Sequence, residues 1–220
     1  MKSSKFPTQA EIVIVGVGGI VGSMLAYWLA ELGQKNIVGL EKSTVIPSDI
    51  ASTAHASDFV YNTTHDKLGN WTTAFSRKFY EDNGFFLKKG GLEICRKDDD
   101  ARWEELKRKV ESGKAFGTNV RLISASEAKE KFPLLEEESI RGAMWDPDAG
   151  LVVPRSQDVV NFAVEKAKEK GALTTYTDTP AVGFEIENGR VTGIKTDRGT
   201  IKADKVVISS GIWGPLLGEM

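Results

Sequence analysis

The first regular pattern in the chain is a run of β-branched residues at 12–15, which predicts a buried parallel strand. Glycines follow at once, at positions 16, 18, 19 and 22. Apolar residues then recur at helical spacing over 23–33, and a second apolar run over 36–41 ends in Glu41. Strand, glycine turn, helix, strand and acid together predict the βαβ unit that binds a dinucleotide.

The glycine turn and the acid each have a chemical reason to be there. Glycines bring backbone N–H groups close to a pyrophosphate, whose charge the N-terminus of a helix favours. Glu41 follows Gly22 by 19 residues, the spacing at which an acid accepts hydrogen bonds from a ribose. The predicted ligand contacts are Gly16, Gly18, Gly19, Ile20, Val21, Gly22, Glu41 and Lys42. The alternative interpretation is a structural α/β turn without a ligand.

One departure from the G-x-G-x-x-G spacing leaves the register of the turn open. Counting from Gly16 puts Val21 at the third glycine, and counting back from Gly22 puts Val17 at the first. The turn therefore contains one extra residue, and the sequence does not decide which glycines contact phosphate.

Helices and strands alternate along the rest of the chain. Apolar residues three and four apart predict helices over 66–80, 98–115, 124–131 and 154–171. In the first of these helices, the aromatic stripe of Leu68, Trp71, Phe75 and Phe79 is expected to be core. Short apolar runs predict strands at 120–123, 140–145, 173–176, 182–187, 190–196, 200–203 and from 203 onward, with a strand pair over 85–96 hinged at Gly90-Gly91. Asn188-Gly189 predicts a hairpin turn.

Composition narrows the class of protein. Of 220 residues, 40% are hydrophobic and 27% charged, which is ordinary for a globular domain. The net charge of −2 gives no electrostatic case for nucleic acid or an anionic membrane as partner. The single Cys95 excludes internal disulfides and suits a reducing compartment, and no apolar run approaches the ~20 residues that span a bilayer. These features predict a cytoplasmic protein. The charged run 97–100 is interpreted as the start of a helix, where acids suit the macrodipole, and not as a metal site.

The segment 42–60 is rich in small and polar residues and contains one histidine, His55. A connection this long in a compact domain is usually functional or disordered. Small neighbours would let a bulky group approach the His55 ring. From composition alone, an exposed loop histidine is the more common alternative.

Five local patterns together resemble the D-amino-acid-oxidase-like flavoprotein family, in particular its dimethylglycine and sarcosine oxidases and dehydrogenases. They are the βαβ unit with Glu41, the Ser-Thr-Ala-His-Ala segment 52–56, Gly-Gly-Leu-Glu at 90–93, Asp-Pro-Asp-Ala-Gly at 146–150 with Pro154, and the apolar-to-glycine segment 206–214. The resemblance covers residues 11–220. The βαβ unit alone would allow NAD or FAD, whereas the other patterns favour this family.

The resemblance implies an α/β fold, with an FAD-binding Rossmann-like domain of the glutathione-reductase type and part of an α+β substrate domain. The expected division is 1–84 for the first part of the FAD-binding domain, 85–150 for a partial substrate-binding domain and 151–220 for the second part of the FAD-binding domain.

The resemblance also assigns residues to the cofactor. His55 matches the histidine that is covalently linked to the 8α carbon of FAD in these enzymes. Ser52, Thr53 and Phe59 would line the flavin path, and Gly211 would pass close under the cofactor. Val182 is expected either to contact adenine through its backbone or to be plain sheet core. Trp213 is expected to pack near the flavin, with helix capping as the alternative.

The chemistry implied by the resemblance is FAD-dependent oxidation of a C–H bond beside the nitrogen of a small amine. The expected substrate is an N-methyl amino acid such as dimethylglycine or sarcosine, with hydride transfer to the flavin and no metal. Family members are longer, and their substrate-facing residues lie beyond the position that matches residue 220. The chain is therefore expected to be an N-terminal portion that lacks the catalytic acid or base and is completed by a C-terminal half or a partner subunit.

Three alternatives stay open from the sequence. A related flavoenzyme could act on another amine, on proline, on glycine or on glycerol 3-phosphate. A non-catalytic subunit could hold FAD for a partner. An NAD-dependent dehydrogenase is the least favoured alternative, because the segment 52–56 would then have no role.

Overall fold

The computed structural model describes residues 6–220. Its strands are β1 (Gln9–Val15), β2 (Ile37–Leu40), β3 (Phe59–Val60), β4 (Phe86–Lys88), β5 (Gly91–Arg96), β6 (Arg121–Ser124), β7 (Ile140–Asp146), β8 (Gly150–Val152), β9 (Leu173–Tyr176), β10 (Ala181–Glu187), β11 (Arg190–Thr196) and β12 (Gly199–Ile208). Its helices are α1 (Ile20–Glu31), α2 (Lys67–Asp82), α3 (Asp100–Ala115), α4 (Ala125–Lys131), α5 (Ser156–Glu169) and α6 (Gly214–Gly218). Short 3₁₀ turns cover Ser52–His55, Glu137–Ser139 and Gly211–Trp213.

The described chain divides into two compact units. The first contains the residues up to Ala56 together with Arg155–Met220, and the second contains Ser57–Pro154. The first boundary therefore follows the 52–55 turn and places residues 57–84 in the second unit, whereas the sequence assigned them to the first domain. The functional roles assigned to the domains stay predictions.

The first unit is built on a six-stranded sheet in the order β10-β11-β12-β1-β2-β9. Strands β12, β1, β2 and β9 run parallel, and β10 and β11 extend the sheet antiparallel from β12. This confirms the predicted α/β fold with a parallel sheet. The parallel strands bring the carboxyl ends of β1, β2 and β12 to one edge of the sheet, where ligands bind in such folds.

Strand β1 is buried on both faces, as its unbroken apolar run predicts. Ile12 and Ile14 pack with α1 and α5 on one face of the sheet. Val13 and Val15 pack on the other face with residues of β2, β11 and β12 and with Leu217 of α6. The strand is thereby fixed between two apolar layers, and its carboxyl end has a defined position.

The predicted hairpin at Asn188-Gly189 is confirmed. Strands β10 and β11 pair antiparallel around it, and the φ angles of Asn188 and Gly189 are 51° and 75°. Two positive φ angles characterise the tight turn whose twist matches the strands that flank it.

The second unit contains two three-stranded antiparallel sheets, β3-β8-β4 and β5-β7-β6. Helix α3 covers the second sheet through Leu106 and Val110, which pack against Cys95 and Met144. The predicted strand pair over 85–96 is wrong in its pairing, because β4 pairs with β8 and β5 pairs with β7. The ring of Trp145 fills the space beside Gly90, where the chain passes from one sheet to the next.

The expected core stripe of α2 is also wrong in most of its positions. The exposed fractions of Leu68, Trp71 and Phe75 are 68%, 62% and 50%, and only Phe79 is buried. Trp71 and Phe75 stack on each other with their ring centroids 5.7 Å apart. Helical spacing predicts that a helix has an apolar face, but it does not identify what covers that face.

None of the helices within residues 6–220 has the length and apolar character needed to cross a bilayer.

Candidate functional site

The glycine turn joins β1 to α1 at the carboxyl edge of the parallel sheet. A Cβ atom at Gly16, where φ is +91°, would lie 2.7 Å from the carbonyl oxygen of Ser209 on the segment after β12. A Cβ atom at Gly22 would lie 2.3 Å from the carbonyl oxygen of Gly16. These two glycines are therefore required by the close approach of strand, turn and helix, as in a dinucleotide-binding turn.

A glycine on the neighbouring strand β2, Gly39, makes room for the extra residue in the turn. Val17 is fully buried, and a Cβ atom at Gly39 would lie 2.9 Å from its Cγ1 atom. The backbone N–H groups of Gly16 and Val17 both donate to the carbonyl of Leu40, at 2.8 and 3.1 Å. Val17 thus occupies space that a side chain on β2 would otherwise fill.

Helix α1 begins at Ile20, three residues before the apolar pattern suggested, and its N-cap residue Gly19 supplies no side-chain cap. The backbone N–H of Ile20 donates to the hydroxyl of Thr53 at 3.1 Å. The first four N–H groups of any helix have no acceptor within the helix and attract negative charge. The start of α1 is therefore an anion-binding end that faces the carboxyl edge of the sheet.

Glu41 is buried and held in place by backbone donors. Its carboxylate accepts hydrogen bonds from the N–H groups of Gly18 and Ser43, both at 2.9 Å. A Cβ atom at Gly18 would lie 2.5 Å from Glu41 Oε2, so Gly18 leaves room for the carboxylate. The acid is fixed beside the glycine turn, with its remaining acceptor capacity available to hydroxyl groups.

A cation and an aromatic ring meet above this edge. The exposed Lys42 places its ammonium 5.0 Å from the ring centroid of Trp213. Trp213 ends the 211–213 turn and is the N-cap residue of α6, which matches the helix-capping alternative, and its packing near the flavin stays a prediction. Gly211 begins the turn with φ +56°. Nearby, the hydroxyl of Ser43 donates to Asp49, and this hydrogen bond is the main cause that lowers the pKa of the Asp49 carboxyl.

Several of these groups, among them Glu41, Lys42 and Trp213, line one cavity of about 440 Å³ within the first unit. Its size is that of a small-molecule site. Of the sequence-predicted residues it is lined by Gly16, Gly19, Ile20, Val21, Glu41, Lys42, Ser52, Thr53 and Gly211. Gly18 and Gly22 lie behind this lining and shape the turn.

Besides Gly18 and Gly22, three predicted residues do not line this cavity. His55 is exposed at the end of the 52–55 turn, two residues after the lining residue Thr53. Val182 is half exposed on β10, next to the lining residue Ala181, so the expectation of a core position is wrong. Phe59 belongs to the second unit, where its ring fills the space beside Gly91.

The cavity also has lining residues that the sequence did not single out, among them Ser48, Ile50, Thr179, Pro180, Ser209 and Ser210. The two serines directly follow the apolar strand β12, and polar residues at the end of a parallel strand are a signal that could have found them. Ser48 and Ile50 lie in the segment 42–60, whose length already suggested a functional connection. Thr179 and Pro180 come from a connection that carries no recognisable pattern.

The residues present fit a dinucleotide. The hydroxyl oxygen of Ser210 is buried and has no hydrogen-bond partner among the described residues, although it belongs to a residue that lines the cavity. A buried unpartnered hydroxyl is uncommon and marks a position that a ligand can satisfy. The start of α1, the fixed Glu41 carboxylate and the Lys42 ammonium suit a diphosphate and a ribose. Within residues 6–220, no group of three or more His, Cys, Asp or Glu side chains could hold a metal ion.

Several curated proteins are similar to this chain over nearly all of its residues. It is 30% identical to the pyruvate dehydrogenase phosphatase regulatory subunit of Mus musculus, over 98% of this chain and 24% of that protein. It is 26% identical to the sarcosine dehydrogenase of Homo sapiens, over 99% and 24% of the two chains. It is 28% identical to the dimethylglycine dehydrogenase of Homo sapiens, over 99% and 25%. The chain thus spans about a quarter of these relatives.

Solved structures agree with the fold. The L-proline dehydrogenase of P. horikoshii superposes with a TM-score of 0.85 at 31% identity, over 98% of this chain and 56% of that one. The glycine oxidase of Bacillus cereus gives 0.76 at 26% identity, over 96% and 58%. The family model described as FAD dependent oxidoreductase, DAO, matches residues 11–220. The chain therefore belongs to the FAD dependent oxidoreductase (DAO) family, which confirms the resemblance read from its sequence.

Proposed function

We propose that the first unit binds FAD, with the adenosine diphosphate part of the cofactor in the cavity at the carboxyl ends of β1, β2 and β12. The observation that carries this proposal is the buried Glu41 carboxylate, fixed by two backbone N–H groups at the wall of a cavity that also contains the start of α1. Glu41 would accept hydrogen bonds from ribose hydroxyls, and the start of α1 would bind the pyrophosphate.

The remaining polar groups of the cavity would support the same ligand. Ser210 would gain the hydrogen bond that its buried hydroxyl lacks within the described chain. Lys42 would supply positive charge near the diphosphate. The apolar lining, which includes Val21, Ile50 and Leu216, would exclude water from the bound cofactor.

We further propose that His55 carries FAD covalently. Its imidazole is exposed and lies between Ala54 and Ala56, whose small side chains leave the ring accessible. The turn that bears it begins with two residues that line the cavity, Ser52 and Thr53. A covalent bond would prevent loss of the cofactor.

The reaction that we propose is oxidation of the C–N bond of a small N-methyl amino acid, of the sarcosine or dimethylglycine type. Bound FAD supplies the hydride acceptor for such a reaction. Two of the relatives described above are named dehydrogenases of these two compounds. We assign no catalytic acid or base within residues 1–220, and we propose that further polypeptide, continuous or as a separate subunit, completes the substrate site.

The test is an absorbance spectrum of purified protein before and after acid precipitation, for the wild-type chain and His55→Ala. Flavin that stays with the wild-type pellet and is released from His55→Ala would support FAD binding and the covalent bond. Flavin released from both proteins would overturn the covalent bond alone. A colourless protein that also fails to bind added FAD would overturn the proposal.

Substrate choice is tested by mixing the flavin-loaded protein with substrate under anaerobic conditions. Loss of the flavin absorbance with sarcosine or dimethylglycine, and not with proline or glycine, would support the proposed substrate class. The reverse preference would favour the chemistry named in the two solved structures.

A second candidate is a non-catalytic FAD-binding subunit. It is favoured by one observation, the 30% identity to a protein named as a regulatory subunit of a phosphatase. This function predicts bound flavin that none of the four amines reduces, whether or not the flavin is covalent. Reduction by any of them would exclude it.

A further inference from the structure

The 52–55 turn, which carries His55, is tied to the first unit at two points. The hydroxyl oxygen of Thr53, a buried residue, accepts a hydrogen bond from the backbone N–H of Ile20 at 3.1 Å. The carbonyl oxygen of Ala54 accepts one from the guanidinium Nη2 of Arg155 at 3.3 Å. Ile20 begins α1, and Arg155 is the N-cap residue of α5. The turn is thus fastened to the starts of both helices that cover one face of the parallel sheet.

We propose that Thr53 is a positioning residue that places His55 relative to the anion-binding end of α1. The N-cap residue of α1 is Gly19, which has no side chain to satisfy an N–H group of the first turn. Thr53 does this from a position 33 residues along the chain. A cap supplied by a distant residue joins two segments as well as stabilising a helix end.

The geometry of the chain limits how far His55 can move while this bond is intact. Two residues of fully extended backbone span at most about 7 Å, and the 3₁₀ turn is shorter than that. The hydroxyl of Thr53 therefore sets the distance between His55 and the helix start where the diphosphate is proposed to bind. The importance of His55 rests on the proposed function, but the hydrogen bond and its effect on the 52–55 turn do not.

The first test is hydrogen exchange of the full chain, measured by mass spectrometry on wild type, Thr53→Val and Thr53→Ser. Valine keeps the shape of the side chain and removes the acceptor, whereas serine keeps the hydroxyl. We expect Thr53→Val to speed exchange in peptides covering 17–22 and 51–57 by roughly five-fold, the effect of losing one helix cap. Thr53→Ser should exchange like wild type.

Two further variants serve as references. Thr72→Val removes an exposed hydroxyl that donates to the carbonyl of Gly69 in the second unit, and both segments should be unaffected. Arg155→Met removes the second tie, and exchange should rise at 51–57 without a change at 17–22. If Thr53→Val does not fold, hydrogen exchange of the wild-type protein tests the bond instead. The amide of Ile20 should then exchange more slowly than that of Val21.

The second test measures the share of flavin that is precipitated with the protein by acid. We expect Thr53→Val to lower this share at least five-fold, while Thr53→Ser retains it. Unchanged exchange in Thr53→Val, or equal losses in Thr53→Ser, would overturn the positioning role. If wild-type protein holds no covalent flavin, the His55 bond proposed above fails, and the exchange experiment alone still decides the role of Thr53.

Discussion

Within residues 6–220, each unit contains one buried carboxylate held by backbone N–H groups, and the two differ in what lies beside them. Glu41 in the first unit accepts from Gly18 and Ser43 and lines the cavity. Asp146 in the second unit accepts from the backbone N–H groups of Asn62 and Asp148, and also from the side-chain amide of Asn62. Burial and bonding are alike, so they do not distinguish a binding group from a structural one.

The distinction lies in unused hydrogen-bonding capacity beside open space. Around Asp146, the donors of the turn and of the neighbouring loop are directed at the carboxylate. The Oδ1 atom of Asn62 is also buried without a partner there, but neither Asn62 nor Asp146 lines the cavity of the first unit. Around Glu41, a buried hydroxyl without a partner and an exposed ammonium belong to residues that line the same cavity. We therefore expect Asp146 to stabilise the fold and Glu41 to bind ligand.

The largest effect should follow from Asp146→Ala. The substitution leaves two backbone N–H groups and the Asn62 amide without an acceptor in a buried site, and each such group costs about 1–3 kcal/mol. We expect the free energy of unfolding in urea to fall by about 3 kcal/mol. Flavin affinity of the folded fraction should not change. Loss of flavin at unchanged stability would contradict the structural role.

Glu41→Ala should show the opposite result. Water in the cavity can reach the N–H groups of Gly18 and Ser43 once the carboxylate is gone, so stability should change by less than about 1 kcal/mol. Hydrogen bonds from ribose hydroxyls to a charged acceptor contribute about 1.5–3 kcal/mol, which corresponds to a roughly 10- to 150-fold weaker affinity for FAD.

Titration of the Glu41→Ala protein with FAD, followed by fluorescence quenching, measures this loss. Glu31→Ala is the matched control, because Glu31 lies at the end of α1 and pairs with Lys170 away from the cavity lining. Equal affinities for wild type and Glu41→Ala would mean that the cavity is not the FAD site.

The contact between Val17 and Gly39 gives a smaller, purely steric test of the first unit. Gly39→Ala places a methyl group against the buried Val17 side chain and should cost about 1–3 kcal/mol of unfolding free energy. Adding Val17→Ala should restore part of that loss, because the two changes share one space. Gly218→Ala is the control, since a Cβ atom there would meet open space. If the effects of Gly39→Ala and Val17→Ala on the free energy of unfolding were additive, the two positions would not share one space.

The sequence predicted the βαβ unit because its determinants are local. The apolar run of β1, the glycines and the acid at the end of β2 lie within one continuous segment, and their order alone defines the unit. The sequence predicts the start of α1 three residues late, because Gly22 interrupts the apolar pattern although the backbone is helical from Ile20 onward.

Features that depend on distant contacts could not be predicted. The cap that Thr53 gives to Ile20 joins residues 33 positions apart, and no spacing rule links them. The exposure of Trp71 and Phe75 depends on what packs against α2, which the pattern of the helix itself does not contain. Pairing of β4 and β5 with other strands was missed for the same reason.

The smallest effect concerns the pH dependence of stability, and it compares the partly buried Asp148 of the second unit with the fully buried Asp146. Asp148 accepts hydrogen bonds from the Lys88 ammonium and, at 3.0 Å, from the amide of Asn119. The Lys88 hydrogen bond is the main cause that lowers the pKa of the Asp148 carboxyl. A carboxyl with a lowered pKa binds fewer protons folded than unfolded. Its stabilising contribution is therefore complete above the unfolded pKa of about 3.9 and is lost as the pH falls through the folded value.

Lys88→Met should raise the pKa of Asp148 toward its ordinary value, which an NMR titration of the carboxyl carbon measures. Because Lys88 is more than half exposed, the free energy of unfolding at pH 7 should change by less than about 1 kcal/mol. The difference from wild type should vanish once the pH falls below the lowered pKa of folded Asp148. Lys107→Met, which breaks an exposed pair with Glu104, should leave the Asp148 titration unchanged. If the pKa of Asp148 stays low in Lys88→Met, the hydrogen bond from Asn119 is its main cause. A neutral donor would then be sufficient to stabilise a carboxylate in this unit, as the neutral donors around Asp146 do.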